Sequence, residues 1–140
     1  ITGNLLADTM TGGAGVNTYV FANGAATGDV ANGVVDVITD FKTSADALTR
    51  DVISGAITNG VAITDGAAAG YATYALALAA AANSATAAFI AAVGSGTSWT
   101  SYIFNDGGAA ADAAIQLGTT GQFGTTTLAM DAIIAAQITA

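Results

Sequence analysis

The spacing of hydrophobic and polar positions changes three times along the 140 residues. Residues 3 to 20 follow a period of nine. "GNLLADTMT" (3–11) lies over "GGAGVNTYV" (12–20), placing Gly3 on Gly12, Asn4 on Gly13, Asp8 on Asn17 and Met10 on Tyr19. Each unit is a Gly/Asn-rich half turn followed by a short strand with one large inward residue, the repeat pattern of a parallel β-roll. "VVDVITDF" (34–41) then runs with a period of two, setting Val35, Val37 and Thr39 against Asp36, Ile38 and Asp40, which predicts a half-buried strand. "DVISGAITNGVAIT" (51–64) predicts a further pair of short strands or turns around its glycines.

From Thr64 or Asp65, either of which can cap a helix, the pattern turns helical: Tyr71, Tyr74 and Leu78 fall at i, i+3 and i+7 on one stripe. Asn83 and Ser84 are expected to break this segment. A second short helix is then expected to bury Phe89, Ile90 and Val93 and to end at Gly94 or Gly96. "SWTSYIFND" (98–106) and "DAAIQLGTT" (112–120) predict an antiparallel pair of strands, with Tyr102 and Phe104 on one face. The predicted fold is mainly β within one domain. A short parallel β-roll (1–21) leads through strands (34–64) and one or two inserted Ala-rich helices (65–93) into a terminal antiparallel sandwich or meander (98–140).

Composition narrows the chemistry. The chain is 53% hydrophobic and only 9% charged, against roughly a quarter charged in ordinary soluble domains. Its ten acids are all Asp, Lys42 and Arg50 are the only bases, and the formal charge is −8. Such a surface repels phosphate backbones, which excludes nucleic acid as an expected partner. Asp is a turn former and a ligand of hard cations, so an Asp-only acid set suits cation-holding loops; the plain alternative is an acidic surface that keeps an exported protein in solution. The absence of Cys and His removes disulfides, the usual zinc sites and histidine-based catalysis. Acid catalysis would rest on Asp pairs such as Asp36 with Asp40 or Asp106 with Asp112, and no activated nucleophile accompanies them, so no enzyme is expected in these residues.

The start at Ile1 reads as that of a fragment or a processed chain, and no signal peptide is visible. Residues 66 to 94 carry no charge and place Gly66 and Gly70 in a G-x-x-x-G spacing, but alanine contributes little to insertion. Asn83, Ser84 and Thr86 interrupt the run and no base flanks it, so no transmembrane span is expected.

The glycines of "TGGAGVNTYVF" (11–21) precede a strand and are followed by no lysine, whereas a phosphate loop follows a strand and opens a helix. The repeat instead resembles the nonapeptide G-G-x-G-x-D-x-U-x of the RTX (hemolysin-type) calcium-binding family. Gly12, Gly13, Gly15 and Tyr19 match the second unit, with Asn17 where that family has Asp; Gly3, Asp8 and Met10 match the first, with Asn4 and Leu6 in place of two glycines. "GGAGVNTYVF" followed by "DVITDFKTSADAL" also resembles the end of an RTX roll, keeping Asp36, Ile38, Asp40, Phe41, Asp46 and Leu48 in the family's spacing.

The resemblance implies Ca²⁺ held by Asp8 and Asn17, by carbonyls of the glycine turns at Gly12 and Ala14, and by Asp36, Asp40 or Asp46. Asn17, a neutral oxygen, is expected to weaken the ion's hold, and Asp36 and Asp40 read alternatively as the exposed face of a strand. The resemblance further implies an extracellular or cell-surface structural domain, recognised by type I export machinery and self-associating into a layer or filament, as in S-layer proteins. Alternatives are the calcium-binding end of a larger secreted protease or lipase, or a carbohydrate-binding module using Trp99, Tyr102 and Phe104.

Overall fold

A computed structural model describes residues 1–4, 6–21, 29–42, 50–55, 63–84, 88–106, 111–118 and 138–139. Strands β1 (Thr9–Met10), β2 (Thr18–Val20), β3 (Asp36–Ile38), β4 (Val52–Ser54) and β5 (Ile63–Asp65) precede one helix, α1 (Tyr74–Ala82). Strands β6 (Ala88–Ser95), β7 (Ser98–Asp106), β8 (Ala111–Leu117) and β9 (Ile138–Thr139) follow it. They form a six-stranded sheet in the order β1-β3-β8-β7-β6-β5 and a three-stranded sheet in the order β2-β4-β9. The mainly β expectation therefore holds, in the form of a mixed sheet packed on a parallel one.

Successive short strands alternate between the sheets. β1 pairs in parallel with β3, and β2 in parallel with β4, in matching register: Thr9 opposite Val37 and Thr18 opposite Val52. Thr2 forms a further parallel bridge to Val20, two nine-residue units along. The predicted inward residues of the repeat, Met10 and Tyr19, are both buried. Period two then decides which side chains share a face. Met10, Ile38, Ile90, Ile103, Ile115 and Leu117 of the large sheet meet Tyr19 and Ile53 of the small one in a single core.

The opposite face of the large sheet is covered by α1, whose Ala77 and Ala81 pack on Phe89, Phe104 and Ala114. Alanine on this face lets the helix approach closely. Thr73 caps α1 through its side-chain oxygen, which accepts from Leu76 N–H, so the helix begins eight or more residues after the expected Thr64 or Asp65. Thr64 and Asp65 belong to β5 instead. Tyr74 and Leu78 keep their predicted place against the core, while Tyr71 lies ahead of the helix and bridges to Val93.

The expected second helix is corrected. Phe89, Ile90 and Val93 lie in β6, parallel to β5 and antiparallel to β7. A strand covered on both faces reads as an unbroken apolar run, and in "AFIAAV" periodicity cannot separate it from a buried helix. Alanine's helix propensity yields to the pairing: Ala88 and Ile90 face the small sheet, Phe89 and Ala91 face α1. The predicted antiparallel pair is present as β7–β8, completing a β6-β7-β8 meander. That meander continues the sheet of β1 and β3, because β8 pairs in parallel with β3. Tyr102 and Phe104 pack against the helix side, and half-buried Trp99 donates its indole N–H to the carbonyl of Gly96 at 2.8 Å.

Candidate metal centre

The two nine-residue units each set one polar rung against the following strands. In the first, Asp8 donates its main-chain N–H to Asp36 Oδ1 at 2.6 Å, and its carbonyl accepts from Val37 N–H at 2.8 Å. In the second, Asn17 donates its N–H to Asp51 Oδ1 at 2.8 Å, and its carbonyl accepts from Val52 N–H at 2.9 Å. The partners are also copies: "DVIT" at 36–39 and "DVIS" at 51–54. Asp51 was not among the residues expected to matter, although this second D-V-I-[ST] was the signal for it.

The rungs differ in how their charges are met. Asp36 is fully buried and shares the face of Ile38, turned towards the small sheet, so it is not the exposed residue of the plain reading. Its Oδ1 accepts from Asp8 N–H, while its buried Oδ2 has no hydrogen-bond partner. A methyl group placed at Gly3 would lie 3.4 Å from Asp8 Oδ2 and 3.8 Å from that orphaned Asp36 Oδ2, so both carboxylates border the same small space. Burial pushes the Asp36 carboxyl above the usual carboxylate range; the N–H of Asp8 opposes this and the negative charge of Asp8 adds to it. Asp8, half-buried, is oriented by Asn4, whose main-chain and side-chain N–H groups donate to Oδ2 at 2.7 Å and Oδ1 at 2.9 Å.

In the second rung every charge is answered. Asp51, also fully buried, accepts on Oδ1 from the main-chain and side-chain N–H groups of Asn17, the latter at 3.3 Å, and on Oδ2 from Lys42 N–H at 2.9 Å. Asn17 is thus an amide donor to Asp51. The carbonyls that converge are those of Gly13 and Gly15, whose φ angles of +77° and +86° suit glycine, and they converge on Lys42 Nζ. Of the expected carbonyl ligands, Gly12 donates its N–H to Asp40 and Ala14 is exposed.

Asp40 is a structural acceptor. It takes Gly12 N–H at 2.8 Å, Gly13 N–H at 2.6 Å and the Tyr19 hydroxyl at 2.9 Å. Partial burial pushes its carboxyl up, but those donors together with nearby Lys42 outweigh burial and hold it below the usual range. Burial, with the charge of Asp40 beside it, drives the Tyr19 hydroxyl well above the ordinary tyrosine range. Asp46 lies outside the described residues.

A hard cation prefers oxygen ligands, and the first rung offers two carboxylates, one with an unsatisfied buried oxygen. The donor set fits Ca²⁺ or a similar ion with solvent completing the shell. Among the described residues no group of three or more Asp, Glu, His or Cys side chains comes together; the first rung brings two carboxylates to one space. Among the described residues, too, no helix is long and apolar enough to cross a membrane. No family model, curated protein or solved structure matches the chain.

Proposed function

We propose that this chain is a calcium-stabilised structural domain of an exported bacterial surface protein, an RTX-like roll joined to a β meander. The observation that carries the reading is the buried, unpartnered Oδ2 of Asp36 beside the carboxylate of Asp8. Burying a carboxylate with one oxygen unpaired and no counter-charge is unfavourable, and a second carboxylate bordering the same space adds to it. A divalent cation reverses the sign of that interaction, and two carboxylates with carbonyl and water oxygens are what Ca²⁺ takes. The matched nine-residue rungs and strands alternating between two sheets support the roll.

A metal that binds only the folded state adds RT ln(1 + [L]/Kd) to stability. At a hundred times Kd this is about 2.7 kcal/mol, on the order of 10 °C in melting temperature for a domain this size. Thermal melts in millimolar calcium and in chelator are expected to differ by that order; superimposable melts overturn the reading. The low charge content suits extensive contact between copies in a layer or filament. Sedimentation velocity at high protein concentration, with and without calcium, tests that part, and a persistent monomer in both overturns it.

A further inference from the structure

We infer that the second rung is a cation site filled by the chain's own lysine, so that the Gly12–Asn17 turn binds no metal. Two glycine carbonyls in the left-handed turn point at one cation, Lys42 Nζ, with Gly15 O at 2.9 Å and Gly13 O also bonded. This ammonium is held by carbonyl oxygens, the groups that a turn of this shape would offer an ion. Every other charge nearby is already met. Asp40 is satisfied by Gly12, Gly13 and Tyr19, and Asp51 by Asn17 and the main chain of Lys42.

The residue at the repeat's sixth position fits this arrangement. Asp8 in the first rung is a carboxylate facing a carboxylate. Asn17 in the second turns its amide N–H groups on Asp51 Oδ1 and, at 3.5 Å, on Gly15 O. Amide and ammonium thus take over together what an ion does between two carboxylates. An arriving divalent ion would have to expel Nζ, and beside the two carbonyls it would meet the Asn17 amide N–H groups where Asp8 in the first rung offers a carboxylate. The count of ions follows: the first rung takes the metal, on the reading proposed above, and the second does not.

Calcium binding is counted by isothermal titration on the wild type, Asn17→Asp, and the double variant Asn17→Asp/Lys42→Met. The double variant is expected to bind one ion more than the wild type, and Asn17→Asp alone, which keeps the ammonium, no more than the wild type. A folded double variant with an unchanged count overturns the inference. A wild type that binds no calcium sinks the first-rung reading alone, since the difference between variants is still read.

A second measurement stands apart from calcium. The chain has no cysteine, so Lys42→Cys offers a single thiol. Alkylation with 2-bromoethylamine restores an ammonium of nearly the same reach, and iodoacetamide adds a neutral group. In chelator, Lys42→Cys is expected to melt below wild type, aminoethylation to restore most of the loss and carbamidomethylation none of it. Equal melting of the two alkylated forms overturns the inference.

Discussion

The main-chain N–H of Asp8 donates to the Oδ1 of Asp36 at 2.6 Å across 28 residues of sequence, and the other oxygen of that carboxylate is left without a donor. Asn17 makes the equivalent bond to Asp51, whose two oxygens are both engaged. One geometry thus holds two different electrostatic solutions, and the same substitution separates them.

Asp36→Asn keeps an oxygen for the N–H of Asp8 and removes a buried charge. Without calcium at neutral pH its melting temperature is expected to equal or exceed that of wild type, while the gain on adding calcium disappears. Calorimetric melts in chelator and in calcium check both halves.

Asp51→Asn is expected to behave in the opposite way. Its new NH₂ must face either the Asn17 N–H groups or the Lys42 N–H, setting donor against donor in a buried place. A loss of about 1–3 kcal/mol follows, the range for leaving a buried hydrogen-bonding group unsatisfied. Urea denaturation should return this loss equally with and without calcium.

Gly12→Ala tests the turn itself. A methyl group there would run into the Tyr19 hydroxyl and the Asn17 side chain, and the Tyr19 ring is fixed in the core. Overpacking of this kind costs about 1–3 kcal/mol, and the variant should lose that much in chemical denaturation.

Alkaline stability should report on Tyr74. Burial, aided by Tyr102 and Asp29, pushes its hydroxyl up to about 12, and the hydroxyl donates to the Val30 carbonyl at 2.8 Å. A raised folded value means that its contribution is intact below the unfolded value of about 10 and is lost as the pH climbs towards 12. Tyr74→Phe should remove part of that pH dependence, at a cost of about 1 kcal/mol near neutrality for the lost bond. Denaturation midpoints between pH 7 and pH 12 give both numbers.

At the acid end Asp40 contributes with the sign opposite to that of Asp36, whose carboxyl is raised. The folded value of Asp40 lies below the usual range, so the stability it supplies is present above the unfolded value of about 4 and falls away as the pH drops through the folded one. Asp40→Asn should therefore flatten the acid limb of a stability-against-pH curve, and it should also alter the alkaline limb, because it removes a charge that raises the Tyr19 hydroxyl.

Much of this was legible in the chain. The nine-residue period located Met10 and Tyr19 as inward residues, and turn glycines bracketed β7 and β8. What stayed hidden depended on neighbours distant in sequence. "AFIAAV" carries the same apolar run whether it forms a helix or a doubly covered strand, and only pairing with β5 and β7 decides. Asp36 has the spacing of an exposed residue, yet Asp8 and the small sheet bury it. Asn17 was visible as a departure from the repeat. Its purpose was not, because Asp51 meets it only when β4 is laid beside β2.

The parallel pairings also set an order in time. The hairpin of β6 and β7 closes through a turn at Gly96 and Thr97, and β8 follows it directly, so these strands can find one another early. The pairs β1–β3, β2–β4 and above all β4–β9, which joins Ile53 to Ile138, each wait for a long loop to close. The chain is therefore expected to assemble from the meander towards its beginning, with the rung of Asp8 and Asp36 among the last parts sealed. On the proposed calcium reading, an ion bridging two residues that meet so late would do little to hasten folding and a great deal to delay escape, making the finished fold persistent rather than quick to form.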